Sequence, residues 1–412
     1  MTRHLIILCA LTACCALPTA AKPLKVFILA GQSNMEGHAQ IRTFDAMADE
    51  PATAALLKEM RAPDGSPRVC DDVWISYFTG GRDNMGEGFG KLTAGYGARK
   101  VPAEAGDKIG PEFTFGIYMA KALNEPILII KTAWGGKSLH TDFRPPSAGP
   151  YPFNEKDLEN LSKRGKSVEE AKAEKAKQTG HFYRLMMTHI THVLGDIKRV
   201  YPAYDGSGYE IAGFAWFQGW NDMVAGGTYP DRDKPGGYDA YSDCLAHFIR
   251  DVRKDLSAPN MKFVIGVMGV NGPLDKYVSQ RYVPIHGGFR SAMAAPASLP
   301  EFKGNVTAVD TAQFWDMRLQ AMDDAQQTLR QLAGSLKNKH KDYANKDGSM
   351  DAKAQKAYVE KRRGELISAA DEAYAAIARS NAAYHYFGSA KTMASIGKAF
   401  ANALLAMEPT AK

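Results

Sequence analysis

The chain has 412 residues, 45% of them apolar, which is enough to bury one large core with insertions or two modest ones. Its 51 basic and 45 acidic residues leave a mild net charge of +6. No basic stripe is interleaved with aromatics, so nothing points to nucleic acid as a partner.

The chain begins MTRHLIILCALTACCALPTA, a basic start, an apolar run and small residues near Ala20 and Ala21. This reads as a secretory signal peptide over residues 1–21, with an apolar run too short to span a bilayer. Leu11-Thr12-Ala13-Cys14 also fits a lipobox, in which case Cys14 carries a lipid anchor and the product is an exported lipoprotein. Nothing else in the sequence looks like a membrane span. Three of the five cysteines fall in the leader, leaving Cys70 and Cys244 either as one disulfide or as two buried thiols.

Residues 22–412 read as a single domain. Five apolar runs predict buried parallel strands: 24–30, 126–133, 211–217, 262–270 and 305–311. Helical patterns lie between them at 113–122, 182–197 and 238–256, and a last amphipathic helix is predicted over 389–407. Such alternation predicts a three-layer α/β fold with a five-stranded parallel sheet. Three insertions interrupt it. Residues 38–109 contain a hairpin-like stretch at 72–78, where Trp74, Tyr77 and Phe78 are either core aromatics or sugar platforms. Residues 144–180 become a charged helix, and residues 317–380 read as a helical hairpin. Within that hairpin, residues 345–351 have part of an EF-hand pattern, but Ala354 stands where the bidentate Glu belongs, so a plain turn is expected. No Cys/His cluster has metal-ligand spacing.

In parallel sheets ligands bind beyond the carboxyl ends of strands, and three of these ends carry polar, glycine-containing turns. The first strand runs into Gly31-Gln32-Ser33-Asn34-Met35. A serine placed between a strand end and a helix start is a candidate nucleophile, facing backbone N–H groups, though an N-cap serine has the same look. The second turn is Trp134-Gly135-Gly136-Lys137-Ser138. The third is Gln218-Gly219-Trp220-Asn221-Asp222. A fourth segment, Tyr384-His385-Tyr386, sits just before the last helix.

The GQSNMEG, AWGGKSL and WFQGWND strings, with a histidine before the last helix, resemble the SGNH hydrolase superfamily, and within it the sialate O-acetylesterase-type carbohydrate esterases. The resemblance runs from about Leu24 to Met407, interrupted by the insertions. It implies a flavodoxin-like SGNH fold and a serine esterase that removes O-acetyl groups from a carbohydrate without a cofactor. Ser33 and His385 are the implied nucleophile and base. The N–H groups of Ser33 and Gly136 and the Asn221 amide form the implied oxyanion hole. Gln32, Gln218 and Trp220 flank the centre as candidate substrate contacts. His38, His140 and His181 are the other candidates for the base.

The sequence departs from the family at one place. Relatives carry Asp three residues before the catalytic His, where this chain has Ala382. Either the third insertion has split the motif, so that Asp316, or secondly Asp310, meets His385, or the enzyme works as a Ser-His dyad. That gap keeps a catalytically silent carbohydrate-binding protein as a rival reading. A serine esterase acting on a non-carbohydrate acyl ester is another.

Overall fold

The computed structural model describes residues 22–81 and 83–407, so the expected leader and Cys14 lie outside the described residues. Nine strands are present among the described residues: β1 (Leu24–Gly31), β2 (Ala39–Gln40), β3 (Val73–Thr79), β4 (Gly86–Lys91), β5 (Lys108–Ile109), β6 (Ile127–Ala133), β7 (Tyr209–Phe217), β8 (Lys262–Val267) and β9 (Val306–Asp310). Seven of them form one sheet in the order β4-β3-β6-β1-β7-β8-β9. All neighbours are parallel except the edge pair β3–β4.

The five expected strands are present as neighbours, but the sheet has seven strands. The additional two come from the first insertion, where β3 lies parallel to β6 and β4 folds back as the antiparallel edge. The aromatics there are core residues: Tyr77 is fully buried, Trp74 stacks on Tyr201 and Phe78 meets Trp134 edge-on. The strands β2 and β5 pair with each other, so the first insertion leaves and rejoins the fold at one point beside the Ser33 turn.

The three layers follow from strand alternation. On one face, Phe27 meets Phe115 of the helix Glu112–Leu123. There too Gly213 and Gly266 make room for Leu404 and Phe400 of the helix Ala390–Ala406. On the other face, Phe214 and Trp216 pack on Phe248 of the helix Asp239–Asp255, and Trp134 packs on Phe182 of the helix His181–Gly195.

The second insertion forms two helices, Glu155–Lys163 and Val168–Gln178. The third forms three rather than two: Met317–Lys337, Ala352–Leu366 and Ala369–Ala378. In its first turn Asn345 is buried, donates to the Leu336 carbonyl and accepts from the Met350 N–H, which ties the turn internally. Cys70 and Cys244 are both free and buried.

The sheet direction of travel reverses at β1. From there the chain goes out to β3 and β4 on one side, returns to lay β6 beside β1, and then crosses β1 to build outward through β7, β8 and β9 on the other. The crevice beyond the carboxyl end of β1 is the topological switch point, where an open α/β sheet offers its binding site.

Candidate active site

β1 ends at Gly31, which has to be glycine: a Cβ there would fall 2.1 Å from the Phe217 carbonyl oxygen of β7. This close approach lets the chain turn into the short helix Ser33–Glu36, whose first residue is Ser33. Ser33 is 8% exposed at the crevice floor. Its backbone N–H has no partner within the chain among the described residues, as expected for the first turn of a helix.

β6 delivers Gly135 and Gly136 to the same place. A Cβ on Gly135 would press on the Glu36 carboxylate at 3.1 Å and stand 3.7 Å from the Ser33 Cβ. Gly136 has φ +75° with open space where a side chain would stand, and its N–H has no partner among the described residues. From β7 comes Asn221, whose Oδ1 accepts from the Gln32 Nε2 at 3.0 Å. That bond turns the Asn221 NH₂ away from Gln32, and it has no partner among the described residues.

Gln32 and Gln218, the candidate substrate contacts, are both buried and spend their amides on groups of the chain itself. Gln32 is 1% exposed, and its Oε1 accepts from the N–H groups of Gly219 and Asn221 and from Gln218 Nε2. Gln218 donates onward to the Lys137 carbonyl and to Asp222. Asp222 is fully buried and also accepts from the N–H groups of Leu139 and His140 and from the Tyr229 hydroxyl. Burial pushes the Asp222 carboxyl up against these donors. The network clamps the exits of β1, β6 and β7 to one another. Trp220 is half-buried and leans on Tyr384, the residue before His385, with ring centroids 5.7 Å apart.

His385 lies in a turn pinned on the Ser33 helix, because Asn34 Nδ2 donates to the Tyr384 carbonyl. The three residues that follow it, Tyr386, Phe387 and Gly388, all have positive φ. Two consecutive non-glycine residues in that region store strain, which the surrounding packing has to offset. Tyr386 is fully buried, and its hydroxyl accepts from the Gly269 N–H and bonds Thr311; Phe387 packs on Trp315.

The partner of His385 is Asn381. Its Oδ1 lies 3.0 Å from His385 Nδ1 and also accepts from the Ala382 N–H. An acceptor at Nδ1 places the ring proton there and leaves Nε2 as the basic nitrogen. Asp316 is elsewhere. It is the N-cap of the helix Met317–Lys337, accepting from the N–H groups of Arg318 and Leu319, while its other oxygen takes the Tyr374 hydroxyl at 2.5 Å. Asp310 likewise caps its own turn through the Ala312 N–H. No hydrogen bond joins Ser33 Oγ to His385 among the described residues; such catalytic bonds commonly tighten only when substrate arrives.

Glu36, not singled out from the sequence, and His38, one of the rival candidates for the base, complete the cluster. Glu36 accepts from Thr79 Oγ1 at 3.1 Å, and its other oxygen stands 3.7 Å from His38 Nε2. The His38 ring stacks on His385 with centroids 3.9 Å apart. Of the remaining histidines, His140 is buried in the Asp222 network and His181 is exposed at a helix start.

Burial, then the neighbouring His38 and Lys108, pull the His385 pKa from 6.5 down to about 3. The imidazole is therefore neutral and able to accept a proton over a wide acidic range. If it is the base, the acid limb of kcat/KM for the free enzyme is expected well below pH 6.5, approaching 3, and an inflection at or above 6.5 contradicts this environment. The same shift has a cost for stability. Between 6.5 and about 3 the unfolded chain binds this proton while the folded chain does not, so this residue destabilises the fold as pH falls through that window.

Residues 96–288 match the model of a family described as carbohydrate esterase, sialic acid-specific acetylesterase. The match spans just under half of the chain, and over that stretch the chain is similar to carbohydrate esterases. The match includes Gly136 and Asn221 and lies between Ser33 and His385. No curated protein matches the chain. Among solved structures, the chain is similar to a protein from Arabidopsis thaliana, with 16% identity, a TM-score of 0.36 and coverage of 70% of this chain and 86% of that one. It is also similar to a carbohydrate acetylesterase from Xanthomonas citri, with 14% identity and a TM-score of 0.38. That likeness covers 71% of this chain and about half, 51%, of the other. Neither likeness is close enough to carry a residue's role across.

Proposed function

We propose that the protein removes O-acetyl groups from a carbohydrate through an acetyl-Ser33 intermediate. Ser33 Oγ attacks the acetyl carbon while His385 Nε2 takes its proton, and the N–H groups of Ser33 and Gly136 with the Asn221 amide hold the oxyanion. The carbon–oxygen bond to the sugar then breaks, and His385 gives its proton to the leaving sugar hydroxyl. A water molecule, deprotonated by His385, attacks the acetyl-enzyme, releases acetate and restores Ser33. Asn381 takes the orienting place that an aspartate holds in relatives. It fixes the tautomer without adding a negative charge. Export through residues 1–21, with or without a lipid on Cys14, belongs to the same reading.

The observation that carries this reading is the convergence on Ser33 of unpaired donors from three strand ends, beside a neutral, oriented histidine. The test is acetate release from a panel of acetylated glycans and from p-nitrophenyl acetate, with Ser33→Ala beside wild type. Serine-dependent release from a glycan is the expected result. Release from the aryl ester alone would move the reading to a non-carbohydrate ester, and no release from either to a binding protein.

Asn381 and Asp316 separate by measurement. Asn381→Ala is expected to lower kcat roughly 10–100-fold by freeing the imidazole to turn, as loss of a supporting hydrogen bond does at other reactive sites. Asp316→Ala is expected to lower stability by about 2 kcal/mol, through a lost cap and an unpaired buried hydroxyl, without a comparable loss of kcat. The reverse pattern, in kcat and urea midpoint, would return Asp316 to the catalytic group.

A further inference from the structure

A cleft of about 300 Å³ lies beside the site, between the exits of β7 and β8. Trp220, Val224, Arg232, Asn271, Tyr282 and Ile285 are among its walls. Trp220 is shared between the cleft and the active site: its neighbour Asn221 is held by Gln32, and its ring leans on Tyr384 next to His385. A larger cavity of about 660 Å³ sits in the second insertion, but its lining is mostly charged or polar and includes none of the residues around Ser33.

Two polar groups in the smaller cleft have unused capacity. Asn271 is held at φ +72°, an unfavourable conformation for a side-chain-bearing residue, and its amide has no hydrogen-bond partner among the described residues. Arg232 spends its Nη1 on the carbonyls of Met223 and Val224 and has no carboxylate partner among the described residues. Tyr282, at 43% exposure, offers an aromatic surface. A sugar ring has apolar C–H faces and hydroxyls at its rim, and a pocket that orients such a ligand combines aromatic walls with a few placed polar groups.

We propose that this cleft seats a sugar ring of the acetylated carbohydrate, with Trp220 and Tyr282 against its faces and Asn271 and Arg232 binding its hydroxyls. The inference rests on the esterase function proposed above. In this arrangement the cleft selects the sugar without taking part in proton transfer.

The test compares kcat/KM for an acetylated sugar with kcat/KM for p-nitrophenyl acetate, which has no sugar ring. Asn271→Gly removes the amide and accepts the positive φ, and Tyr282→Ala removes one wall. Each is expected to lower the sugar-to-aryl ratio about tenfold, chiefly through KM, as when a binding site is deprived of one hydrogen bond or one packing surface. A wild-type enzyme that cleaves the acetylated sugar, with both variants keeping its ratio, overturns the cleft assignment alone. Failure of wild type to release acetate from any sugar ester overturns the carbohydrate reading and this inference with it.

Discussion

Ser33→Ala is expected to lower kcat for ester cleavage by roughly 10⁴-fold or more, and His385→Ala to cost about as much. The double variant should be no slower than either single one. The two groups act in one event: without the base the hydroxyl is a poor nucleophile, and without the hydroxyl the base has no proton to take. What survives is the contribution of the proposed oxyanion donors, the N–H groups of Ser33 and Gly136 and the Asn221 amide. Steady-state rates on p-nitrophenyl acetate measure all three variants. If His385→Ala cost less than about tenfold while Ser33→Ala cost the full amount, the base would have to be sought in His38, which stacks on His385 beside Glu36.

Lys131→Met is expected to destabilise the fold by about 3–5 kcal/mol, the range for breaking a buried ion pair from one side. Lys131 sits in the middle of β6 at 0% exposure, 2.7 Å from an equally buried Glu112. Its three ammonium protons go to Glu112, to the Tyr96 carbonyl and to the Glu36 carbonyl that ends the Ser33 helix. Burial pulls the Lys131 pKa down and the Glu112 pKa up, and their mutual attraction resists both shifts. Removing the lysine would leave a buried carboxylate held by the Gly110 N–H without a counter-charge. The urea midpoint should fall with little change in slope. Lys131→Met combined with Glu112→Leu should recover most of the stability, because apolar replacement of both partners is often close to neutral. It should recover less of the activity, since the Ser33 helix would still lack its anchor. Equal stability of the single variant and wild type would contradict this account of β6.

What could be read from the sequence was decided locally. Ser33, Gly136 and Asn221 stand where apolar runs stop at glycine-containing turns, and His385 is placed by the spacing of the helix after it. The number of strands was not local. Val73–Thr79 alternates like a surface hairpin and becomes an inner strand only because β6 lies open beside it. Asp316 shows the same limit. A carboxylate before Met-Arg-Leu reads alike as a helix cap or as a catalytic acid, and the way the third insertion returns decides between them. A search for an acid three residues before His385 meets Ala382 and passes over Asn381, one residue further back. Gln32 and Gln218 read as candidate substrate contacts in the sequence, and their mutual hydrogen bond exists only once β1 and β7 pair and bury them. Lys131 is hidden inside an apolar run because its partners come from three other segments.

The most direct measurement of the central claim is the mass of the peptide containing Ser33 after the folded enzyme reacts with diisopropyl fluorophosphate. An activated serine displaces fluoride and keeps the phosphoryl group, so one adduct on Ser33, lost in Ser33→Ala and strongly slowed in His385→Ala, is the predicted result. An adduct on another residue, or none on an enzyme that still cleaves its ester, would contradict the assignment of Ser33 as the nucleophile.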